Sequence, residues 1–445
     1  MKSDISGFPE FLPCEQIAFD GVVDAIRKQF ELYGFVPMET AAVERISTLV
    51  SKGSDHEIYG IYRMADENLK KELGLRFDLT VPLARYVISN ANELIFPHKR
   101  YQIAPVWRGE RPQFGRYRQF HQCDIDIIGH QVLSIANDAE IIAIITEILQ
   151  LMNVPKFYTR ISNRKILCGF LKTIVEEAKV PEVIRLIDKS DKISETEFDD
   201  SLIGLCPDKK NDVSKIKNFI YGEKKKRDNA ELLKWLKGMR LSQEYEQGVA
   251  ELDEVVQLLK RVDMGDDFVK VSTSLARGFD YYTGCVFETV FCNANDIGSI
   301  AGGGRYDNLA SMMSANACFP GVGATIGISR LIPKLFEQQI VACDRNTTAQ
   351  LLVTTQNRKY ISSYIKIAQR FRRAGIKTES YLNDKALGVQ LKYASKKGFR
   401  FVLIANETEL LEGKAILRDL HTKQQMMIRT EYISSEVADI FGHSK

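Results

Sequence analysis

Four arginines crowd one short stretch of the chain, Tyr101 to Asp126, which reads YQIAPVWRGERPQFGRYRQFHQCDID. Arg108, Arg111, Arg116 and Arg118 sit between an alternating segment holding Ile103, Pro105 and Trp107 and a second one that ends on Asp124 and Asp126. Two alternating runs around a charged loop predict a pair of strands joined as a hairpin. Strand side chains alternate between faces, so Phe120, Gln122, Asp124 and Asp126 are expected on one face, beside an arginine-rich tip. Guanidinium groups grip phosphate through paired hydrogen bonds that an ammonium cannot copy. The stretch therefore offers a place for a phosphate next to a small polar pocket. On composition alone it would equally serve as a solvated hairpin with a charged tip.

Further stretches carry side chains of the same chemical kind. LGLRFDLTVPLARYV (73–87) predicts a strand feeding a helix, with Asp78 and Thr80 on one side of the strand and Pro82 at the helix start, where a missing N–H costs nothing. The same local pattern also suits an N-cap pair, and Arg85 a surface helix charge. SLARGFDYYTGCVFETV (274–290) places Arg277, Gly278, Tyr281 and Tyr282 just before a strand. IAGGGRYDNLA (300–310) has glycines that let backbone approach a ligand closely, followed by Tyr306. A bare GGG could be only a flexible turn, but the RYD after it and the tyrosine pair upstream favour a ligand site. FPGVGATIGISRLIPKLF (319–336) alternates small and apolar residues and then becomes a helix carrying Arg330.

The residue order of 101–126 closely resembles motif 2 of class II aminoacyl-tRNA synthetases, in the form found in histidyl-tRNA synthetases. Segment 73–87 matches their LR-x-D-LT-x-P-x-AR run almost letter for letter. Segments 274–290 and 300–310 resemble their two histidine-specific motifs, and 319–336 resembles motif 3, with Ser329 where the family often has an acidic residue. Residues 15–44 resemble motif 1, with Ala41 where the family usually has proline.

The resemblance implies an α/β (α+β) protein. Its parts are an antiparallel-sheet catalytic core, a helical insertion leaning on the tRNA acceptor arm, and a C-terminal mixed α/β anticodon-binding domain. It further implies a homodimeric ligase that activates L-histidine with ATP, assisted by Mg²⁺, and passes it to tRNA-His. Arg108 would hold the α-phosphate and the substrate carboxylate, Arg277 the α-phosphate from the other side, and Arg330 the γ-phosphate and adenine. Arg116 is a further phosphate ligand, Phe120 stacks on adenine, and Glu110 orients the base or its amine. Asp78, Thr80, Gln122 and Asp126 would take the α-ammonium and imidazole hydrogens, with Tyr281, Tyr282 and Tyr306 lining the ring. The chief rival is a catalytically silent paralogue that regulates histidine biosynthesis. Such paralogues typically lack the terminal domain and lose phosphate-binding arginines, whereas Arg108, Arg277, Arg330 and a basic tail are all present here.

The elements that must position these residues follow from length and patterning. A chain of 445 residues exceeds what one core usually organises, so several domains are expected. We place them at 1–179 and 266–341 (the two parts of the core), 180–265 (the insertion) and 349–445 (the tail domain). Residues 15–33 show helical spacing at Ile17, Val22, Val23, Ile26 and Phe30, with Gly34 as a C-cap. FVPMETAAVE and Tyr59–Met64 predict strands, 135–153 a helix, Phe157–Ile161 a strand and Lys165–Ala178 a helix. Residues 180–265 predict lysine-rich helices, Lys224 to Arg227 among them, which would serve equally as a solvated charged helical bundle. A linker at 342–349 leads to strands and helices in alternation (LLVTT, a helix to Arg373, KTESY, a helix from Lys385 to Lys397, FRFVLIA, GKAILRDL, QQMMIRT). That order predicts a small mixed sheet.

Charge and cysteine usage narrow the class. From Ala349 onward 17 Lys and Arg face 9 Asp and Glu, a balance of +8, while the rest of the chain has 44 against 49, or −5. A basic terminal domain on a mildly acidic body suits an anionic partner such as nucleic acid. Eight cysteines without a CxxC pair and six histidines without HxxxH argue against a zinc cage or a disulfide framework. Reduced, mostly buried thiols are expected. No apolar run of about 18 residues occurs, and the first residues lack the features of a signal or transit peptide, so a cytoplasmic protein is expected.

Overall fold

A computed structural model describes residues 5–49, 73–112, 115–190, 193–206, 209–226, 228–277, 281–293, 298–314, 317–431 and 435–442. The strand expected at Tyr59–Met64, and Arg227 and Gly278, lie outside these residues. The chain divides into two compact units, Met1–Pro9 with Val23–Ile340, and Glu10–Val22 with Val341–Lys445.

Helix α1 (Pro13–Leu32) buries Val22, Val23, Ile26 and Phe30 as its spacing requires, and it stops where Gly34 takes a φ of +76°. The strand expected from FVPMETAAVE is two short ones, β1 (Val36–Pro37) and β2 (Val43–Arg45), followed by α2 (Ile46–Leu49). Strand β3 (Leu73–Leu75) pairs with β2 and ends before Asp78, so Asp78 and Thr80 are not strand neighbours. The buried Arg76 turns the chain there, bonding the Thr40 carbonyl at 2.7 Å and the Pro105 carbonyl at 3.1 Å. Asp78 instead accepts the Val81 N–H at 3.0 Å, in the first turn of α3 (Thr80–Asn90). Of the alternative N-cap pair only Asp78 makes such a bond, and Thr80 is the first residue of the helix.

The hairpin forms as β4 (His98–Trp107) and β5 (Gln119–Ile128), antiparallel from the His98–Ile128 pair to the Trp107–Gln119 pair. After α4 (Ala136–Leu151) come β6 (Phe157–Asn163) and α5 (Arg164–Leu171), a helix shorter than the expected 165–178. Five helices fill the next stretch: α6 (Val180–Asp188), α7 (Glu195–Leu205), α8 (Lys209–Ile220), α9 (Asn229–Met239) and α10 (Gln243–Arg261). The core resumes with β7 (Val269–Val271), β8 (Cys285–Phe291), β9 (Ala301–Tyr306), α11 (Leu309–Met313), β10 (Gly321–Ile326) and α12 (Ile328–Glu337).

Eight of these strands form one sheet in the order β1-β4-β5-β10-β9-β8-β6-β7. Its interior pairs are antiparallel, and the edge strands β1 and β7 run parallel to their neighbours. Alternation on β5 separates two kinds of buried residue. Cys123, Ile125 and Ile127 take one face and Gln122, Asp124 and Asp126 the other. The helical stretch is tied to the core through Glu223. Its carboxylate accepts the N–H groups of Thr273 at 2.6 Å and Ser274 at 3.3 Å, holding the segment that leads to Arg277.

In the second unit β11 (Leu351–Val353), α13 (Ile361–Arg373), β12 (Thr378–Ser380), α14 (Leu387–Lys397) and β13 (Phe401–Ile404) alternate as expected. Then come α15 (Glu407–Leu411), β14 (Lys414–Asp419), β15 (Gln425–Arg429) and α16 (Ser435–Gly442). The sheet order is β12-β11-β13-β14-β15, parallel around β11 and antiparallel beyond β13. Helices α15 and α16 escaped the periodicity reading because neither is long enough to show a repeat. α15 is set by a capping box between Asn406 and Glu409.

One expectation about the thiols is overturned. Cys14 and Cys343 form a disulfide, with Cα atoms 5.1 Å apart. They are 329 positions apart in sequence, so no spacing pattern could announce them. Cys123, Cys206 and Cys285 are buried free thiols, and Cys318 is exposed.

The buried ion pair of Arg305 and Asp138 joins β9 to α4, with Arg305 also bonded to the Leu133 and Ser134 carbonyls. Removing one partner leaves an uncompensated buried charge. Asp138→Ala is expected to lower unfolding free energy by about 3–5 kcal/mol. Urea titration followed by circular dichroism checks this.

Candidate active site

All thirteen site residues named from the sequence line one cavity of the first unit, about 1070 Å³ including its open mouth. Arg108, Glu110, Arg116 and Phe120 come from the β4–β5 loop and β5. Asp78 and Thr80 come from the start of α3, Gln122 and Asp126 from β5, Arg277, Tyr281 and Tyr282 from the segment before β8, Tyr306 from β9, and Arg330 from α12. Of the four loop arginines, Arg108 and Arg116 reach the cavity. Arg118 turns away to the Glu110 carbonyl at 3.3 Å, and Arg111 is exposed.

The arginines are held in place by backbone oxygens. Arg330 donates to the Gly115 carbonyl at 2.9 Å and the Ser299 carbonyl at 3.1 Å, Arg277 to the Phe287 carbonyl at 2.8 Å, and Arg108 to the Phe77 carbonyl at 3.2 Å. Arg108 also lies 5.0 Å from the centre of the Phe120 ring. Burial, with repulsion from Arg108 and Arg116, lowers the Arg330 pKa to about 10. Glu110 and Glu288, which line the same part of the cavity, offset some of this repulsion.

The opposite imbalance surrounds Asp78, Asp124 and Asp126. Burial raises all three carboxyls, Asp78 to about 6 and Asp124 to about 8, each also raised by a neighbouring aspartate in the case of these two. The fully buried Arg100 offsets part of that charge. Its Nη2 lies 2.7 Å from Asp126 Oδ2, close enough for an ion pair but without hydrogen-bond alignment. Tyr306 donates to Asp126 Oδ1 at 2.5 Å, and Tyr281 to Asp78 Oδ2 at 3.2 Å. The three tyrosine rings pack into the same apolar cluster as Phe77, Val81 and Leu83.

Comparison with known proteins identifies the family. Residues 7–331 match the family model described as histidyl-tRNA synthetase, and residues 349–440 match the one described as anticodon binding domain. The chain belongs to the histidyl-tRNA synthetase family. It is 41% identical over 441 residues to the histidine–tRNA ligase of Clostridium tetani, covering 97% of this chain and 98% of the relative. It is 38% identical to that of Nostoc punctiforme, covering 97% and 96%. The crystal structure of histidyl-tRNA synthetase from Nostoc sp. PCC 7120 superimposes with a TM-score of 0.83 at 35% identity, over the full length of both chains.

Within this family frame, the departure at Ser329 has a structural account. Its buried hydroxyl accepts the His121 N–H at 3.0 Å and so ties α12 to β5. The sequence reading did not assign Asp124, Thr325, Glu288 and Ser299, which also line the cavity. Asp124 was detectable, since it shares the β5 face of Gln122 and Asp126. Thr325 and Glu288 enter only through strand pairing, opposite Asp124 and Gly302 respectively.

The glycines of β9 and β10 prove to be strand rather than turn, and their missing side chains have a definite use. A Cβ on Gly302 would fall 1.8 Å from Arg277 Nη1, and one on Gly323 would fall 2.0 Å from Asp126 Oδ1. Gly302→Ala is therefore expected to displace Arg277 and cut ATP–pyrophosphate exchange by about 100-fold or more, as misplacements near 1 Å do. Exchange assays alongside a thermal melt that shows retained folding check this.

Proposed function

We propose that the cavity aligns L-histidine and ATP for adenylate formation, and that the same protein then transfers histidine to the 3′ end of tRNA-His. The observation that carries this reading is the division of charge within one hollow. Buried carboxyls surround Asp124, while guanidinium groups surround Arg330. An amino acid presents a cation to the first and a nucleoside triphosphate presents an anion to the second.

In the first step a histidine carboxylate oxygen attacks the α-phosphorus, and the bond to the bridging oxygen breaks to release pyrophosphate. The protein contributes alignment and neutralisation of charge, with little covalent chemistry of its own. Arg108 holds the α-phosphate and the attacking carboxylate, Arg277 the α-phosphate from the other side, and Arg330 the γ-phosphate. Arg116 assists, Phe120 stacks on adenine, and Glu110 orients the base. Asp78, Thr80, Gln122 and Asp126 bind the amino acid's nitrogens, with Tyr281, Tyr282 and Tyr306 around the imidazole. A pocket that hydrogen-bonds its substrate rejects isosteres lacking those groups by roughly 10⁴–10⁵-fold, so no editing site is needed.

Among the described residues no group of three metal-binding side chains occurs. Glu110 and Glu288, both in the cavity, fit a Mg²⁺ ion that takes water and phosphate oxygens as its other ligands. When bound, such an ion supplies shielding of the pyrophosphate charge. In the second step the terminal ribose 3′-hydroxyl of the tRNA attacks the adenylate carbonyl, AMP leaves, and a phosphate oxygen takes the proton.

The tail domain reads the tRNA, in keeping with its charge of +8. The protein works in the cytoplasm as a homodimer through motif 1, where Leu32, Val36 and Val43 stand exposed. Sedimentation at the mass of one chain would refute the dimer. No helix of the described residues is long and apolar enough to cross a membrane.

ATP–pyrophosphate exchange with each of the twenty amino acids tests the substrate, and only histidine is expected to support it. In that assay Gln122→Ala is expected to raise the KM for histidine far more than that for ATP. Equal effects on both would count against the pocket. Arg277→Ala is expected to abolish exchange while tRNA binding, followed by filter retention, stays near wild type.

A further inference from the structure

Asp124 is the one buried carboxyl of the cavity that the roles above leave without a task. It projects from β5 between Gln122 and Asp126 and is 4% exposed. One of its oxygens is held by the hydroxyl of Thr325, its pairing partner on β10, while Oδ1 is buried with no hydrogen-bond partner. Thr325 also accepts from Gln122 Nε2 at 3.1 Å, which fixes the amide so that Gln122 Oε1, buried too, is likewise without a partner. Asp126 Oδ2 on the same face also lacks a hydrogen bond but has the Arg100 guanidinium 2.7 Å away, whereas Gln122 Oε1 and Asp124 Oδ1 are adjacent orphaned acceptors. Buried polar atoms almost always find a partner, so these two point to a ligand donor. The pair sits among Asp78 and Asp126, so a cationic donor is favoured.

We propose that Asp124 is a specificity-determining residue whose Oδ1, together with Gln122 Oε1, accepts two N–H groups of the substrate's α-ammonium. An ammonium carries three N–H donors in divergent directions and can serve both acceptors at once, whereas a neutral imidazole has a single N–H. Asp126 already has Tyr306 and Arg100 as neighbours, and it lies two residues further along the strand, about 7 Å away. The imidazole end thus belongs to Asp126 and the amino end to Asp124. The inference rests on the cavity being the histidine site.

Two histidine analogues separate the ends. Histidinol keeps the amine and lacks the carboxylate, and imidazolepropionate keeps the carboxylate and lacks the amine. Each is measured as a competitor of histidine in pyrophosphate exchange, with the wild type and with Asp124→Asn, which keeps the side chain's shape. The expected result is a rise of about 10- to 100-fold in the histidinol inhibition constant and less than about twofold for imidazolepropionate, the scale of one lost charged hydrogen bond. Unchanged histidinol inhibition, or equal loss for both analogues, would overturn the assignment. If Asp124→Asn does not fold, Asp124→Ser serves in the same comparison. Failure of both variants to fold would make Asp124 a packing residue and overturn the proposal as well. Should neither analogue compete with histidine in the wild type, it is the histidine-site reading that fails.

Discussion

Several side chains of the cavity lie against sheet backbone that only glycine leaves uncovered. The space a Cβ would need at Gly302 is taken by Arg277, at Gly304 by Tyr282, at Gly321 by Tyr306 and at Gly323 by Asp126. Strands β9 and β10 are adjacent, so these absences merge into one flat floor in the middle of the sheet. A larger residue at any of these positions would lift a guanidinium, a phenol or a carboxylate out of place. The arrangement runs against strand preference, since glycine weakens a strand and leaves no side chain to pack. Close approach of functional groups to the backbone is the compensating gain.

Burial does the second part of the work. Asp124 and Asp126 face into a sheet interior that disfavours ionised carboxyls, and Arg100, itself fully buried, supplies opposing charge at short range. The guanidinium groups of Arg108, Arg116 and Arg330 repel one another across the same hollow. A ligand with an ammonium near one set and phosphates near the other would remove both penalties together, as the proposed histidine–ATP pair would and a neutral ligand would not.

The scaffold that holds this arrangement is largely remote from it. Glu223, in the helical stretch between the motifs, clamps the backbone just before Arg277, and Arg160 reaches the hydroxyls of Ser272 and Ser274 from β6. Arg305 precedes the cavity-lining Tyr306 on β9 and anchors the strand to α4 through Asp138. Ser329 ties α12 to β5 by accepting a backbone N–H through its hydroxyl. Each of these contacts is a long-range one between residues that sequence reading treats separately.

Local patterning determined much by itself: the period-2 hairpin of 101–126, the helical stripe before Gly34, and the alternating elements after Ala349 all fold as their spacing demands. Composition placed basic charge on the tail, and motif order was specific enough to nominate thirteen residues that meet in one cavity. Tertiary structure decided the rest. It ended β3 at Leu75, because the buried Arg76 needed carbonyl partners from Thr40 and Pro105. It made the triple glycine a central strand, joined Cys14 to Cys343, and left Asp124 with an unpartnered oxygen opposite Thr325. The reason is the same throughout. Periodicity reports which side of an element is apolar, whereas strand order, buried hydrogen-bond demand and charge balance depend on residues far outside the element itself.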